Sequence, residues 1–128
     1  MNTANQSYDP NNIFARILRK EIPCKTVYEC DHVLAFHDIN PIAPVHVLVI
    51  PKGPYVSLTD LSARGSDAEL AALLRAVGII ARHLGLDETG YRFLANNGAD
   101  AHQEVPHLHI HLFGGRALGP MLSRKEPA

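Results

Sequence analysis

The spacing of apolar residues changes several times along the chain, and each change predicts an element. Ile13, Phe14, Ile17 and Leu18 recur at helical intervals until Pro23, which predicts a short amphipathic helix. Two β-rich runs follow, "KTVYEC" and "HVLAFHDI", the second closed by the turn dipeptide Asn40-Pro41. "HVLVIPK" is continuously apolar rather than alternating, the mark of a central strand covered on both faces. "GPYVSLTDLSARG" reads as a loop. Ser66 with Glu69 three residues later is a capping box. Leu70, Leu73, Leu74, Val77, Ala81 and Leu84 then form one stripe of a long helix that Gly85 is placed to end. "YRFLAN" and "VPHLHIHLF" predict a fourth and a fifth strand. Helix, three strands, helix, two strands is an α+β order with a mainly antiparallel five-stranded sheet, one long helix and one short one. The polar, Asn-rich residues 1–12 read as a flexible N-terminal arm, and residues 13–128 as a single domain with an irregular end.

Composition narrows the class without changing this picture. A chain of 128 residues with 46% hydrophobic content can bury a core without staples. Its formal net charge of −1 offers no electrostatic footprint for nucleic acid. The two cysteines, Cys24 and Cys30, are too few for a disulfide framework and read as free thiols in a reducing compartment. Neither a signal peptide nor a membrane span is visible, so the expectation is a cytoplasmic protein without a membrane partner.

Three of the eight histidines stand at alternate positions in one run, His107, His109 and His111, with Leu108, Ile110 and Leu112 between them and after them. On a strand, the imidazoles share one face, spaced about 7 Å apart, while the apolar set faces the core. The residues alone leave three readings open. One is a His-rich solvated face. Another is zinc, with His46, His102 or a cysteine completing the ligand set. The last is covalent and acid–base chemistry at phosphorus, in which one neutral imidazole attacks and a second manages a proton.

The pattern His-φ-His-φ-His-φ-φ in "HLHIHLF", where φ is apolar, is the signature of the histidine triad (HIT) superfamily. Together with "IFARILRKEIP", "VLAFHDINPIAPVHVLVIPK" and "GGR", it resembles the branch of Hint-type histidine triad nucleotide-binding proteins, the purine nucleoside phosphoramidases, from about Ile13 to Arg116. The resemblance implies the HIT fold, with its sheet continued across a homodimer. It implies a purine nucleotide substrate, no cofactor and no resident metal. The implied reaction is cleavage of the P–N bond of nucleoside 5′-monophosphate amides through a nucleotidyl-histidine intermediate. Within the resemblance, the alternatives are a dinucleoside polyphosphate hydrolase and a nucleotide-binding regulatory module with low turnover. His109 takes the nucleophile's place, His111 contacts phosphate and handles the leaving-group proton, and His107 supports through its main-chain carbonyl. His46 extends the network.

The same resemblance assigns the nucleotide-binding residues. Asp38, which on local grounds alone reads sooner as a turn aspartate, holds the ribose. Ile39, His37, Phe36, Phe14 and Ile17 wall the base pocket, although each also reads as plain core. Asn96, Gln103 and Glu104 line the phosphate region. The sequence departs from the animal type in two places. There a glycine precedes the glutamine and a serine follows it, where this chain has His102 and Glu104. A serine donates to phosphate oxygens and an ionised glutamate does not, so the leaving-group preference is open. The cysteines that bind a structural zinc around an "IF" pair in some relatives are Asn12 and Ala15 here, so that site is absent.

Overall fold

The computed structural model describes residues 7–122. Its single sheet is wholly antiparallel, in the order β1-β2-β3-β5-β4. The strands are β1 (Thr26–Glu29), β2 (Val33–His37), β3 (Val45–Pro51), β4 (Arg92–Ala95) and β5 (Ile110–Gly114). β3 lies at the centre, between β2 and β5, and is buried on both faces as its continuous apolar run predicts.

One face of the sheet carries the long helix α3 (Asp67–His83) and the other the short α1 (Ile13–Leu18). Val33, Ala35, Val47, Val49, Ile110 and Leu112 pack with Leu73, Val77, Ile80 and Ala81 on the α3 side. Leu34, Phe36, Leu48 and Ile50 pack with Phe14 and Ile17 on the α1 side. Burial of this apolar surface is the main term holding both helices to the sheet. The capping box forms as expected. Ser66 Oγ accepts from the Glu69 backbone N–H at 3.1 Å, and Glu69 Oε1 accepts from the Ser66 N–H at 3.0 Å.

Four features differ from the sequence expectation. The loop between β3 and α3 contains a two-turn helix, α2 (Leu58–Arg64), capped by Ser57 and fixed by buried Asp60, which accepts from the Val56 N–H and from Arg64. A further single turn, α4 (Leu86–Thr89), follows Gly85, so the described residues hold two short helices beyond the pair expected. The fifth strand begins at Ile110 rather than Val105. Pro106 has no N–H for a ladder, and the Leu108 N–H bonds to the Tyr55 carbonyl at 2.8 Å instead of to a strand. The helical stripe is also rotated: Ala76 and Ile80 are buried, while Leu74 is 61% exposed.

The arm, expected to be loose, makes ordered hydrogen bonds from Tyr8 onward. The Asn12 side chain caps α1 by accepting from the Ala15 N–H at 2.9 Å and donates to the Asp9 carbonyl at 2.8 Å. Residues 1–6 of the arm, and residues 123–128 of the C-terminal segment, lie outside the described residues.

Candidate functional site

The β3–β5 register builds the centre of the site. Leu48 pairs with His111 and His46 with Phe113, so two histidines from strands far apart in sequence meet on the α1 face. The two residues that precede β5 extend the same alternation. Leu108 enters the α3-side core, and His109 faces Phe14 of α1, with ring centroids 4.9 Å apart in an edge-on arrangement. The His109 and His111 rings follow at 5.1 Å. The double glycine where the strand ends is a fitted corner. A Cβ on Gly114 would stand 2.7 Å from the Leu86 side chain. Gly115 has φ +92°, with Pro44 2.8 Å from where its Cβ would be.

Hydrogen bonds fix the tautomers. His109 Nδ1 lies 2.7 Å from the His107 carbonyl oxygen, which can only accept, so Nδ1 carries the proton and Nε2 keeps its lone pair. His46 Nδ1 accepts from the Ile42 N–H at 3.3 Å, leaving the His46 proton on Nε2, which donates to His111 Nδ1 at 3.0 Å. His111 therefore retains an Nε2–H donor. Asp38 Oδ2 stands 3.4 Å from His46 Nε2, and Asp38 Oδ1 accepts from the Asn40 N–H at 2.8 Å.

Burial keeps the three histidine rings uncharged. It pushes the pKa of His111 down to about 4, with further depression from the neighbouring His109 and His46. Burial likewise lowers His109 against the opposing bond to the His107 carbonyl, and lowers His46 against the opposing charge of Asp38. His109 thus presents an uncharged nucleophilic nitrogen, and His111 an uncharged N–H donor, on the same wall at neutral pH.

These groups open into a cleft of about 440 Å³. Asp38, Asn40 and Ile42 border it with His46 on one side. Phe14, Leu48 and Val105 form an apolar floor. Asn96, His102 and Glu104 stand at the remaining side with His109 and His111. His102 and Glu104 are both exposed and are paired at 2.9 Å, with His102 in the left-handed region at φ 59°. Asp38, His46 and His111 offer ligand atoms within 4.8 Å of one another, a donor set that suits a divalent metal. To bind through Nε2, His46 would have to move its proton to Nδ1, where it would oppose the Ile42 N–H donor.

Several residues expected at the site are not among those that line this cleft. Phe36 and Ile17 are buried in the core beneath α1, and His37 is exposed at the end of β2. Ile39 is 86% exposed. Gln103 spends its amide on the loop itself, accepting from the Gly98 N–H at 2.9 Å and donating to the Val56 and Val105 carbonyls at 2.7 and 3.0 Å. Sequence reasoning missed Tyr8, whose hydroxyl lies 2.6 Å from His107 Nδ1. Its signal was that of a lone aromatic in an otherwise polar arm. Asn40, Ile42 and Val105 were also missed, because their loops carry no periodicity.

The HIT domain profile matches residues 19–118. The chain belongs to the HIT domain family. It is 66% identical over 119 residues to a 13.2 kDa HIT-like protein of Azospirillum brasilense, covering 93% of this chain and 98% of that one. It is 45% identical over 113 residues to the purine nucleoside phosphoramidase of Escherichia coli K12, covering 88% and 94%. The fold is similar to a histidine triad protein from Clostridium difficile, with a TM-score of 0.79 and 41% identity over 91% of this chain and all of that one. It is also similar to a HIT family hydrolase from Clostridium thermocellum, with a TM-score of 0.81 and 40% identity over 88% and 97%. Within this HIT protein, no helix among the described residues is long and apolar enough to cross a membrane.

Proposed function

We propose that the protein is a hydrolase that cleaves the P–N bond of purine nucleoside 5′-monophosphate amides, with His109 as nucleophile. The observation that carries this is the 2.7 Å bond from His109 Nδ1–H to the His107 carbonyl, which leaves an oriented Nε2 lone pair on the cleft wall. His109 Nε2 attacks the α-phosphorus and the P–N bond breaks, while the departing amine takes a proton from solvent in the open cleft and is steadied by a hydrogen bond from His111 Nε2–H. Water then attacks the same phosphorus and loses a proton to solvent, releasing the nucleoside monophosphate and freeing His109. A neutral imidazole suits this step, because an anionic nucleophile would be repelled by the phosphate. Asp38 holds the ribose, and the floor made by Phe14 and Leu48 receives the base. The 45% identity to the purine nucleoside phosphoramidase of Escherichia coli supports the same reaction.

The carboxylates of Asp38 and Glu104 flanking the cleft favour an amine leaving group over a polyanionic one, which sets the dinucleoside polyphosphate hydrolase as the weaker reading. The complete set of tautomer-fixing bonds speaks against a binding module with vestigial turnover.

We further propose a homodimer joined through α3 and the edge strand β4. Leu58, Leu70, Leu74 and Phe93 surround an apolar groove of about 420 Å³ there, beside a strand edge that no other described strand pairs. The two free cysteines fit a reducing compartment, and we assign the protein to the cytoplasm.

The test is brief reaction with an adenosine phosphoramidate followed by intact-mass measurement. The parent protein gains one adenylyl group and His109→Ala gains none; an adduct persisting in His109→Ala would refute the assignment.

A further inference from the structure

Because the proposed nucleophile is oriented by the carbonyl of His107, whatever fixes His107 also fixes the nucleophile. His107 is completely buried, and both of its ring nitrogens are engaged. Nε2 lies 2.9 Å from the carbonyl oxygen of Pro51, which can only accept, so Nε2 carries the ring proton. Burial pushes the His107 pKa down to about 4, so the ring is neutral and Nδ1 presents a bare lone pair. The phenolic oxygen of Tyr8 lies 2.6 Å from that nitrogen and is therefore the donor.

We propose that Tyr8 is a positioning residue for His109: its hydroxyl proton locks the tautomer and tilt of His107, and the His107 carbonyl passes that orientation to the attacking ring. The inference rests on the reading of His109 as nucleophile.

The segment bearing Tyr8 is built to hold it. Asp9 Oδ1 accepts from the Asn11 N–H at 2.9 Å, and Arg19 Nη1 donates to the Pro10 carbonyl at 2.7 Å, tying the arm to the far end of α1. Two residues after the Asn12 cap, Phe14 meets His107 edge-on at 6.3 Å and His109 at 4.9 Å. Tyr8 itself meets His107 edge-on at 5.5 Å. Tyr8→Phe keeps this ring contact and deletes only the donor. The buried Nδ1 then has no partner, and a switch to the Nδ1–H tautomer would forfeit the Pro51 bond.

The experiment pairs single-turnover kinetics with ¹⁵N-histidine NMR on the full chain. In the parent protein, His107 shows an Nε2–H tautomer with a hydrogen-bonded, unprotonated Nδ1. In Tyr8→Phe, the rate of nucleotidyl-enzyme formation from an adenosine phosphoramidate falls about tenfold while KM stays within about twofold, since one hydrogen bond to a ring in the reacting network is lost. The His109 ring resonances shift in the same variant. Any of three results overturns the proposal: a parent His107 protonated at Nδ1, an unchanged rate of adduct formation, or His109 resonances that ignore the substitution. The parent spectrum gives its answer even if the variant folds poorly. Absence of any adduct in the parent protein would instead sink the reading of His109 as nucleophile, and the ring spectra would still decide whether Tyr8 orients it.

Discussion

Acidification should destabilise this fold through His107 by an amount that can be isolated. A histidine whose pKa falls from 6.5 unfolded to about 4 folded binds fewer protons when native, so the unfolded state gains as pH drops. The stabilising contribution of the neutral ring is complete above pH 6.5 and is lost as pH falls from there toward 4. The full difference is about 3 kcal/mol, of which about 2 kcal/mol is gone by pH 5. His107 is wholly buried, so solvent screening takes little from this figure. His107→Gln removes the titration and keeps the bonding pattern, because an amide can donate to the Pro51 carbonyl and accept from Tyr8. Urea unfolding of both proteins at pH 7.5 and pH 5 gives the assay. The parent should lose about 2 kcal/mol more than His107→Gln over that interval, and the double difference cancels the other histidines common to both. Equal pH dependence in the two proteins would show that His107 does not titrate across folding, and the account of its neutral, doubly bonded ring would fall.

Three further predictions follow from the same geometry. His111→Ala should still bind a nucleoside monophosphate but lower kcat for a phosphoramidate about 100-fold or more through loss of the hydrogen-bond donor to the leaving group; calorimetry and steady-state kinetics check the two halves, and parent-like turnover rejects the leaving-group role. Gly114→Ala should lower stability by about 1–3 kcal/mol by driving a methyl into buried Leu86, and an unchanged melting temperature would show that Leu86 yields freely. Leu74→Glu should convert the proposed dimer to monomer in sedimentation equilibrium while leaving the helix content intact, and a dimer that survives it is joined elsewhere.

Much of this was legible because strand alternation and helix capping are local signals. The capping box at Ser66, the doubly covered β3 and the division of labour in residues 107–112 all follow from side-chain order alone. α2 was not legible, since its seven residues show too few apolar repeats to stand apart from a loop, and what holds it is the contact of Asp60 with Val56 and Arg64. The start of β5 was misplaced because alternation continues through Val105 while the hydrogen-bond partners there belong to Tyr55 and not to a strand. Exposure of Leu74 is a tertiary outcome, as the helical stripe fixes a period but leaves its angle to the sheet open. At the site, Phe36 and Ile17 could be read as core or as pocket wall, and in this chain they lie in the core. Tyr8 escaped because the residue it serves lies 99 positions away.

The pairing of β5 with β3 has a consequence for how this chain can change. Core and cleft are written on opposite sides of the same few residues, Leu108, Ile110 and Leu112 on one side, His109 and His111 on the other. A single-residue insertion or deletion between Leu108 and Leu112 would exchange the two sides, presenting leucines to the cleft and imidazoles to α3. Length variants in this stretch should therefore be lost as folded proteins before they could be sampled as altered enzymes, whereas the loop carrying His102 and Glu104 can vary in length at far smaller cost. New specificities in this scaffold have an open route through that loop and a closed one through the strand.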